Sequence, residues 1–347
     1  MTTTNIAVVG LGTVGLSLLR YLNSTSDARL KAIRVRAVAD SSGVALIESQ
    51  DSIAELIRHK ESGGSASSFH KSLPIQRDRE LAVAAVRAAG VDVLVESLPT
   101  NVETGEPGLG LLEAALRGGL NVVTVDKGPL VHGFDKLLDA AAQGSVRIAF
   151  SGTTGVAIPD DLGSERVVEI RGVLNGTSNF ILGAIQESGM PFDEALSFAR
   201  SEGVAEPDPR LDIDGWDTAC KILILAKALM GARTTLSEVH RIGIGPGIEH
   251  LIATAKETAR VVRLVGRARL LRGSVRISVA PKLVTPRSPF YALAGTSKGA
   301  VFKTAEGREV FVAGKSGRDA IAQTICNDLL RVEGNPASSH STSNLES

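Results

Sequence analysis

Asn5-Ile6-Ala7-Val8-Val9-Gly10-Leu11-Gly12-Thr13-Val14-Gly15 sets the reading of the N-terminal half. Residues 5–9 form a short, nearly continuous apolar run, the pattern of a strand buried on both faces of a parallel sheet. Gly-x-Gly-x-x-Gly follows at once, and residues 16–22 have the spacing of a helix. In a chain with 36 glycines such a motif arises readily by chance, but here it has the strand–turn–helix context that dinucleotide binding requires. The first glycine permits the tight turn, the second lets the backbone approach a diphosphate, and the third lets helix and strand pack closely. The diphosphate is expected on the helix N-terminus, with Gly10, Leu11, Gly12, Thr13, Val14 and Gly15 as cofactor-binding residues.

Working outward, residues 35–39 predict the second strand, ending at Asp40. An acid there is placed to hold an adenosine ribose diol, which leans the reading toward NAD over NADP. Residues 43–80 are less regular: 53–60 have helical spacing, and 63–68 read as a flexible loop with His70 near it at the surface. A helix at 80–89 precedes a strand at 91–96, and Ser97-Leu98-Pro99-Thr100-Asn101 falls at its carboxyl end, where open parallel sheets bind ligands. Pro99 and Thr100 are therefore cofactor-site candidates. After a helix at 111–117 and a strand at 121–125, Asp126-Lys127-Gly128-Pro129 stands at the same edge. Residues 146–150 complete a sheet spanning a first domain, 1–150.

Beyond Ser151-Gly152-Thr153-Thr154-Gly155 the pattern changes. A strand at 167–174 leads to Asn175-Gly176-Thr177-Ser178, whose small residues at a helix start leave backbone N–H groups for an anion such as a carboxylate. Residues 206–217 then hold Glu206, Asp208, Asp212, Asp214 and Asp217, followed by the apolar run 222–226. Read as a helix from about 214, this segment puts Asp217 and Lys221 at i and i+4. Such pairs are commonly solvated and worth little. Residues 218–230, however, carry few polar groups besides Lys221 and Lys227, so burial is expected and the pair becomes a candidate site. Strands at 261–267, 275–279 and 310–312 predict a mixed sheet in a second domain, 151–312. A helix at 319–330, within 313–332, is expected to pack back on the first domain, and 333–347 to be a disordered tail.

The 38 basic and 38 acidic residues balance, so no global field favours nucleic acid or an anionic membrane. Aromatics make up 3%, too few for base-stacking platforms. Residues 1–4 lead straight into a strand, so no signal peptide is expected, and no apolar run reaches spanning length. With Cys220 and Cys326 read as reduced, the expectation is a cytoplasmic globular protein. The histidines are scattered, with no zinc-ligand spacing, so no metal site is expected. Gly314-Lys315-Ser316-Gly317-Arg318 lacks the full P-loop spacing.

Residues 172–182, 192–196 and 203–221 resemble the signature segments of homoserine dehydrogenases. The order of the N-terminal glycine motif, Gly105-Glu106-Pro107 and residues 122–129 is similar too, over roughly 5–332. The likeness is to short members without an ACT domain or aspartokinase fusion. It implies an N-terminal Rossmann domain, an α+β substrate and dimerisation domain, and a homodimer. It also implies NAD(P)-dependent interconversion of L-homoserine and L-aspartate 4-semialdehyde, in the biosynthesis of threonine, methionine and isoleucine. Lys221 matches the acid–base lysine and Lys127 a second active-site lysine. Glu206, Asp212 and Asp217 match substrate-side acids; Asn175, Gly176 and Thr177 match the loop near substrate and nicotinamide; Gly314 opens the terminal cofactor loop. Hydride transfer needs a group to take the alcohol proton, and burial suits a lysine to that task. Three departures stand out. Asp126 replaces an Asn and could pair with Lys127. Ser151 replaces a glutamate of a cation site, and residues 315–318 replace Pro-Gly-Ala-Gly. The alternatives are a sibling oxidoreductase on a related amino acid or aldehyde, and a catalytically weak dinucleotide sensor.

Overall fold

A computed structural model describes residues 3–69, 72–74, 83, 86–314 and 317–333. His70, residues 80–82, 84 and 85 of the 80–89 helix, Lys315, Ser316 and the 334–347 tail lie outside the described residues. The chain forms two compact units, one of residues up to 153 with the C-terminal helix, the other of residues 154–314.

The first unit is built on a seven-stranded sheet of β1 (Thr4–Val9), β2 (Ile33–Asp40), β3 (Gly43–Leu46), β4 (Ser72–Pro74), β5 (Val93–Glu96), β6 (Asn121–Thr124) and β7 (Ile148–Ala149). Their order is β4-β3-β2-β1-β5-β6-β7. From β2 to β7 all neighbours are parallel, and β5 is buried along its whole length, as its apolar composition requires. The order reverses between β1 and β5, the switch point where open parallel sheets bind ligands beyond the strands' carboxyl ends. The C-terminal helix, Arg318–Glu333, packs on the Thr13–Ser24 helix and on β6 and β7. Its Ile325, Cys326, Leu329 and Val332 share one core with Ile6, Val8, Leu18 and Leu19.

Two segments differ from the sequence expectation. After β2 the chain does not become irregular; it turns back into antiparallel β3 and β4. The Asp40 carboxylate closes that turn by accepting from the Ser42 amide at 2.9 Å and its hydroxyl at 2.5 Å. Secondly, Lys127–Gly144 is an 18-residue helix that Gly128, Pro129 and Gly133 concealed. Asp126 caps it, and Pro129 sits in the first turn, where a missing N–H costs nothing. Gly133 departs from helical geometry and kinks it.

The second unit carries a mixed sheet of β8 (Val167–Val173), β9 (His240–Arg241), β10 (Val261–Leu271), β11 (Ser274–Val284), β12 (Lys298–Thr304) and β13 (Glu309–Gly314), in the order β13-β12-β8-β10-β11-β9. The Trp216–Met230 helix lies across β8, β10 and β11, with every residue from Thr218 to Ala226 buried. Gly266 of β10 makes this packing possible: a Cβ there would stand 3.0 Å from the Thr218 methyl. No helix among the described residues is long and apolar enough to cross a membrane.

The glycine turn gives a direct test. A Cβ on Gly15 would lie 2.0 Å from the Gly10 carbonyl oxygen, whereas one on Gly12 meets nothing within 4 Å. Gly15→Ala is therefore expected to cost about 1–3 kcal/mol of stability. Gly12→Ala should stay within about 0.5 kcal/mol, the usual range for surface positions. Urea-denaturation midpoints of the two variants would check both.

Candidate active site

At the switch point, Gly10 has φ +98°, and a Cβ on it would stand 2.5 Å from the Ser97 carbonyl oxygen. The Ser97 hydroxyl donates to the Gly10 carbonyl at 2.8 Å. These contacts press the ends of β1 and β5 together and leave Gly12 exposed at the tip of the turn. The Thr13–Ser24 helix begins at Gly12 with no side-chain cap and no acid in its first turn. Its leading N–H groups and positive dipole end are thus open to an anion, which fits the diphosphate of a dinucleotide.

Asp40 has a fuller set of partners than a ribose-binding acid needs. One oxygen takes the two Ser42 donors; the other accepts from Lys60 Nζ at 2.7 Å and the Ala66 amide at 2.9 Å. Burial disfavours its charge, yet the Lys60 ammonium, the Ser42 hydroxyl and the two amides outweigh it and hold the carboxyl well below its ordinary range. Of the other cofactor-site candidates, Pro99 is exposed and Thr100 half-buried. Gly314 ends β13 in the second unit, close against the Gly155 carbonyl.

A buried acidic pair lies beside this region, and sequence reasoning singled out only one of its members, Asp126. Glu96, the last residue of β5, is 0% exposed, and Asp126, just past β6, is 2% exposed. Glu96 accepts from the Leu98 amide at 2.7 Å and from the Thr124 hydroxyl at 2.5 Å. Asp126 accepts from the Gly128 amide at 2.9 Å. Burial and then the Asp126 charge push the Glu96 carboxyl up to about 8, against the pull of Thr124 and Leu98. Burial raises Asp126 as well, opposed by the Gly128 amide, the Thr100 hydroxyl and the Lys127 ammonium. The substituted acid at 126 therefore does feel Lys127, but its principal contact is the helix cap. The one signal available was a glutamate closing an apolar strand.

In the second unit four predicted residues meet. Lys221 Nζ donates to Asp217 Oδ2 at 2.5 Å and to the Leu174 carbonyl at 2.9 Å. The lysine and aspartate side chains are 11% and 12% exposed, so this is not a solvated surface pair. Asn175 caps the Gly176–Ser188 helix, its Oδ1 accepting from the Ser178 amide at 2.7 Å. Its Nδ2 donates to Asp212 at 2.5 Å and Asp217 at 2.9 Å. Burial, then the charge of Asp217, raises the Asp212 pKa; Asn175, Thr177 and Lys221 oppose the rise. Gly176 and Thr177 are half-buried at the same helix start, while Glu206 is exposed and shares no hydrogen bond with the cluster among those described. Lys127, the first residue of its helix, belongs to the other unit.

Residues 157–330 match the family model for homoserine dehydrogenase, and residues 10–151 match the model for the homoserine dehydrogenase NAD binding domain. A homoserine dehydrogenase of Methanocaldococcus jannaschii is 31% identical over 339 residues, covering 94% of this chain and 98% of that one. The chain belongs to the homoserine dehydrogenase family. It is an NAD(P)-dependent oxidoreductase, and its fold recurs in solved members. A candidate homoserine dehydrogenase from Archaeoglobus fulgidus superposes with a TM-score of 0.82 at 29% identity, covering 96% of this chain and all of that one. A hyperthermophilic archaeal homoserine dehydrogenase in complex with NADPH gives 0.77 at 27% identity, covering 96% and 98%.

For a homoserine dehydrogenase, the buried Glu96 has a measurable consequence. Its pKa rises from an ordinary 4.5 when unfolded to about 8 when folded, so across that window the folded state holds a proton that the unfolded chain has released. Stability should therefore fall as pH rises, by up to about 1.4 kcal/mol per pH unit. Urea denaturation as a function of pH should show that decline, and Glu96→Gln should flatten it.

Proposed function

We propose that the chain interconverts L-homoserine and L-aspartate 4-semialdehyde, with Lys221 as acid–base catalyst. The observation that carries this reading is the buried Asn175–Asp212–Asp217–Lys221 cluster. A lysine ammonium has three N–H donors. Two are given to Leu174 and Asp217, which leaves one for the substrate's hydroxyl or carbonyl oxygen. Bound NAD(P) supplies the hydride acceptor or donor. On oxidation Lys221 acts from its neutral amine form, takes the alcohol proton and becomes the ammonium; on reduction the ammonium returns that proton to the carbonyl oxygen. Two carboxylates against one ammonium give the cluster an excess of negative charge, suited to a substrate ammonium group, with exposed Glu206 as a further ligand for it. The Gly176-Thr177 helix start offers amides to the substrate carboxylate, and Lys127 serves as the second active-site lysine. The product feeds threonine, methionine and isoleucine synthesis.

For the cofactor we propose NAD, because the Asp40 carboxylate stands where a 2′-phosphate would bring like charge. Asp40 also neutralises Lys60, so its removal would free a cation for that phosphate. For assembly we propose a homodimer joined through the second sheet. Its edge strand β13 has no residue buried among the described residues and exposes Phe311 at 40%; among the described strands only β12 pairs with it, which leaves an edge that a second copy would cover.

Three measurements check these proposals. Lys221→Ala should reduce homoserine oxidation, followed by NAD(P)H absorbance, by about 10²–10⁴-fold, the usual worth of a general acid–base; a parental rate would refute the role. Asp40→Ala should lower the ratio of kcat/KM for NAD to that for NADP, and an unchanged ratio would refute the specificity reading. Light scattering should give twice the chain mass of 36.2 kDa and, for Phe311→Glu, a shift toward the single chain.

A further inference from the structure

An acid at the end of a fully buried strand is an expensive choice, since an apolar residue would satisfy the sheet equally well. Glu96 has contacts that account for it. Glu96 and Thr124 are register partners on β5 and β6, and the Thr124 hydroxyl bridges them to the next segment. It donates to Glu96 at 2.5 Å and accepts from the Asp126 amide at 3.0 Å. At one end Glu96 fixes the Leu98 amide, in the loop that carries Thr100; at the other Asp126 fixes the Gly128 amide, on the helix that begins with Lys127. The same two segments meet again backbone to backbone. A Cβ on Gly128 would stand 2.6 Å from the Asn101 carbonyl oxygen, and one on Gly105 would stand 2.9 Å from the Gly128 carbonyl. Asp126 faces Thr100 in return. The two strand-exit segments are thus cross-braced by reciprocal buried carboxyls, and further out a His132 ring nitrogen meets the Val102 carbonyl at 2.9 Å.

We propose that Glu96 and Thr124, with Asp126, are positioning residues of the dehydrogenase reaction: they bolt the loop after β5 to the start of the Lys127–Gly144 helix, and so set where Thr100 and Lys127 stand. This rests on the reading above that Thr100 borders the cofactor and that Lys127 serves the reaction. A brace of this kind acts through geometry, and a displacement of about 1 Å at a reacting group can cost up to about a hundredfold in rate. Neither Glu96 nor Thr124 touches substrate; each works through the segment it holds.

Thr124 gives the sharper test, because Thr124→Val keeps the shape and removes only the hydroxyl, while Thr124→Ser keeps the hydroxyl. Binding of NADH and NADPH is measured by fluorescence, kcat and KM with L-homoserine by absorbance, and folding by circular dichroism. Thr124→Val is expected to fold, to bind the preferred nucleotide about tenfold more weakly and to lose about tenfold in kcat. Thr124→Ser is expected to recover both to within about twofold. Glu96→Ala should repeat the losses where it folds. Parental binding and kcat in Thr124→Val would overturn the proposal, as would equal losses in Thr124→Ser, since packing alone would then account for them. Lys127→Ala run alongside separates the two readings. If it turns over at the parental rate, the role of Lys127 falls, and the nucleotide-binding arm alone decides the brace.

Discussion

An ammonium group on a helix that is buried over most of its surface must find oxygen partners or give up its charge. On the Trp216–Met230 helix that requirement organises the second unit. Lys221 takes one partner from its own helix, Asp217, and one from the end of β8, the Leu174 carbonyl. The carbonyl is available because β8 stops there and Asn175 turns the chain into the next helix. Asn175 then uses one side chain for three tasks, capping that helix and joining Asp212 to Asp217. A fold that places the lysine correctly therefore also brings the strand end, the helix cap and the acidic segment to one point. Removal of one member leaves a buried charge short of a partner, which costs more than the pair itself contributes.

The first unit meets a related constraint with opposite sign. Its parallel strands end in a row at the switch point, and the segments leaving them must be fixed without regular ladder bonds. Glu96 and Asp126 do this as acceptors for main-chain amides and hydroxyls. Both are buried, and the Asp126 charge makes ionisation of Glu96 harder, so the brace gains rigidity at some cost in stability at alkaline pH. The phosphate turn solves the same problem without charge: Gly10 and Gly15 bring backbones together more closely than any side chain would permit.

How much of this was legible in the sequence follows from the range of each interaction. The glycine turn and the Asp217–Lys221 pair are local, and both stood out from spacing and from the apolar run behind the lysine. Asn175 bridges to residues 37 and 42 positions away, and its helix-start pattern indicated an anion seat rather than an acid-binding amide. Glu96 was invisible as a buried acid because strand periodicity does not say what lies beyond a strand's end. The Lys127–Gly144 helix was hidden by two glycines and a proline, which its cap and kink accommodate. Asp40 was correctly placed at the end of β2, but the turn it closes and the lysine it binds come from residues 42, 60 and 66.

Asp40 also shows why position alone does not define a cofactor contact. A carboxylate offers about four acceptor sites, and here four donors from three residues already address it. A ribose diol would have to displace one of them, and Lys60 is the partner whose release changes the local charge most. Nucleotide preference at such a site is then a competition between a sugar hydroxyl pair for the acid and a phosphate for the freed ammonium. The acid's depressed pKa keeps it ionised around neutral pH, so that competition is set there by geometry and charge rather than by protonation.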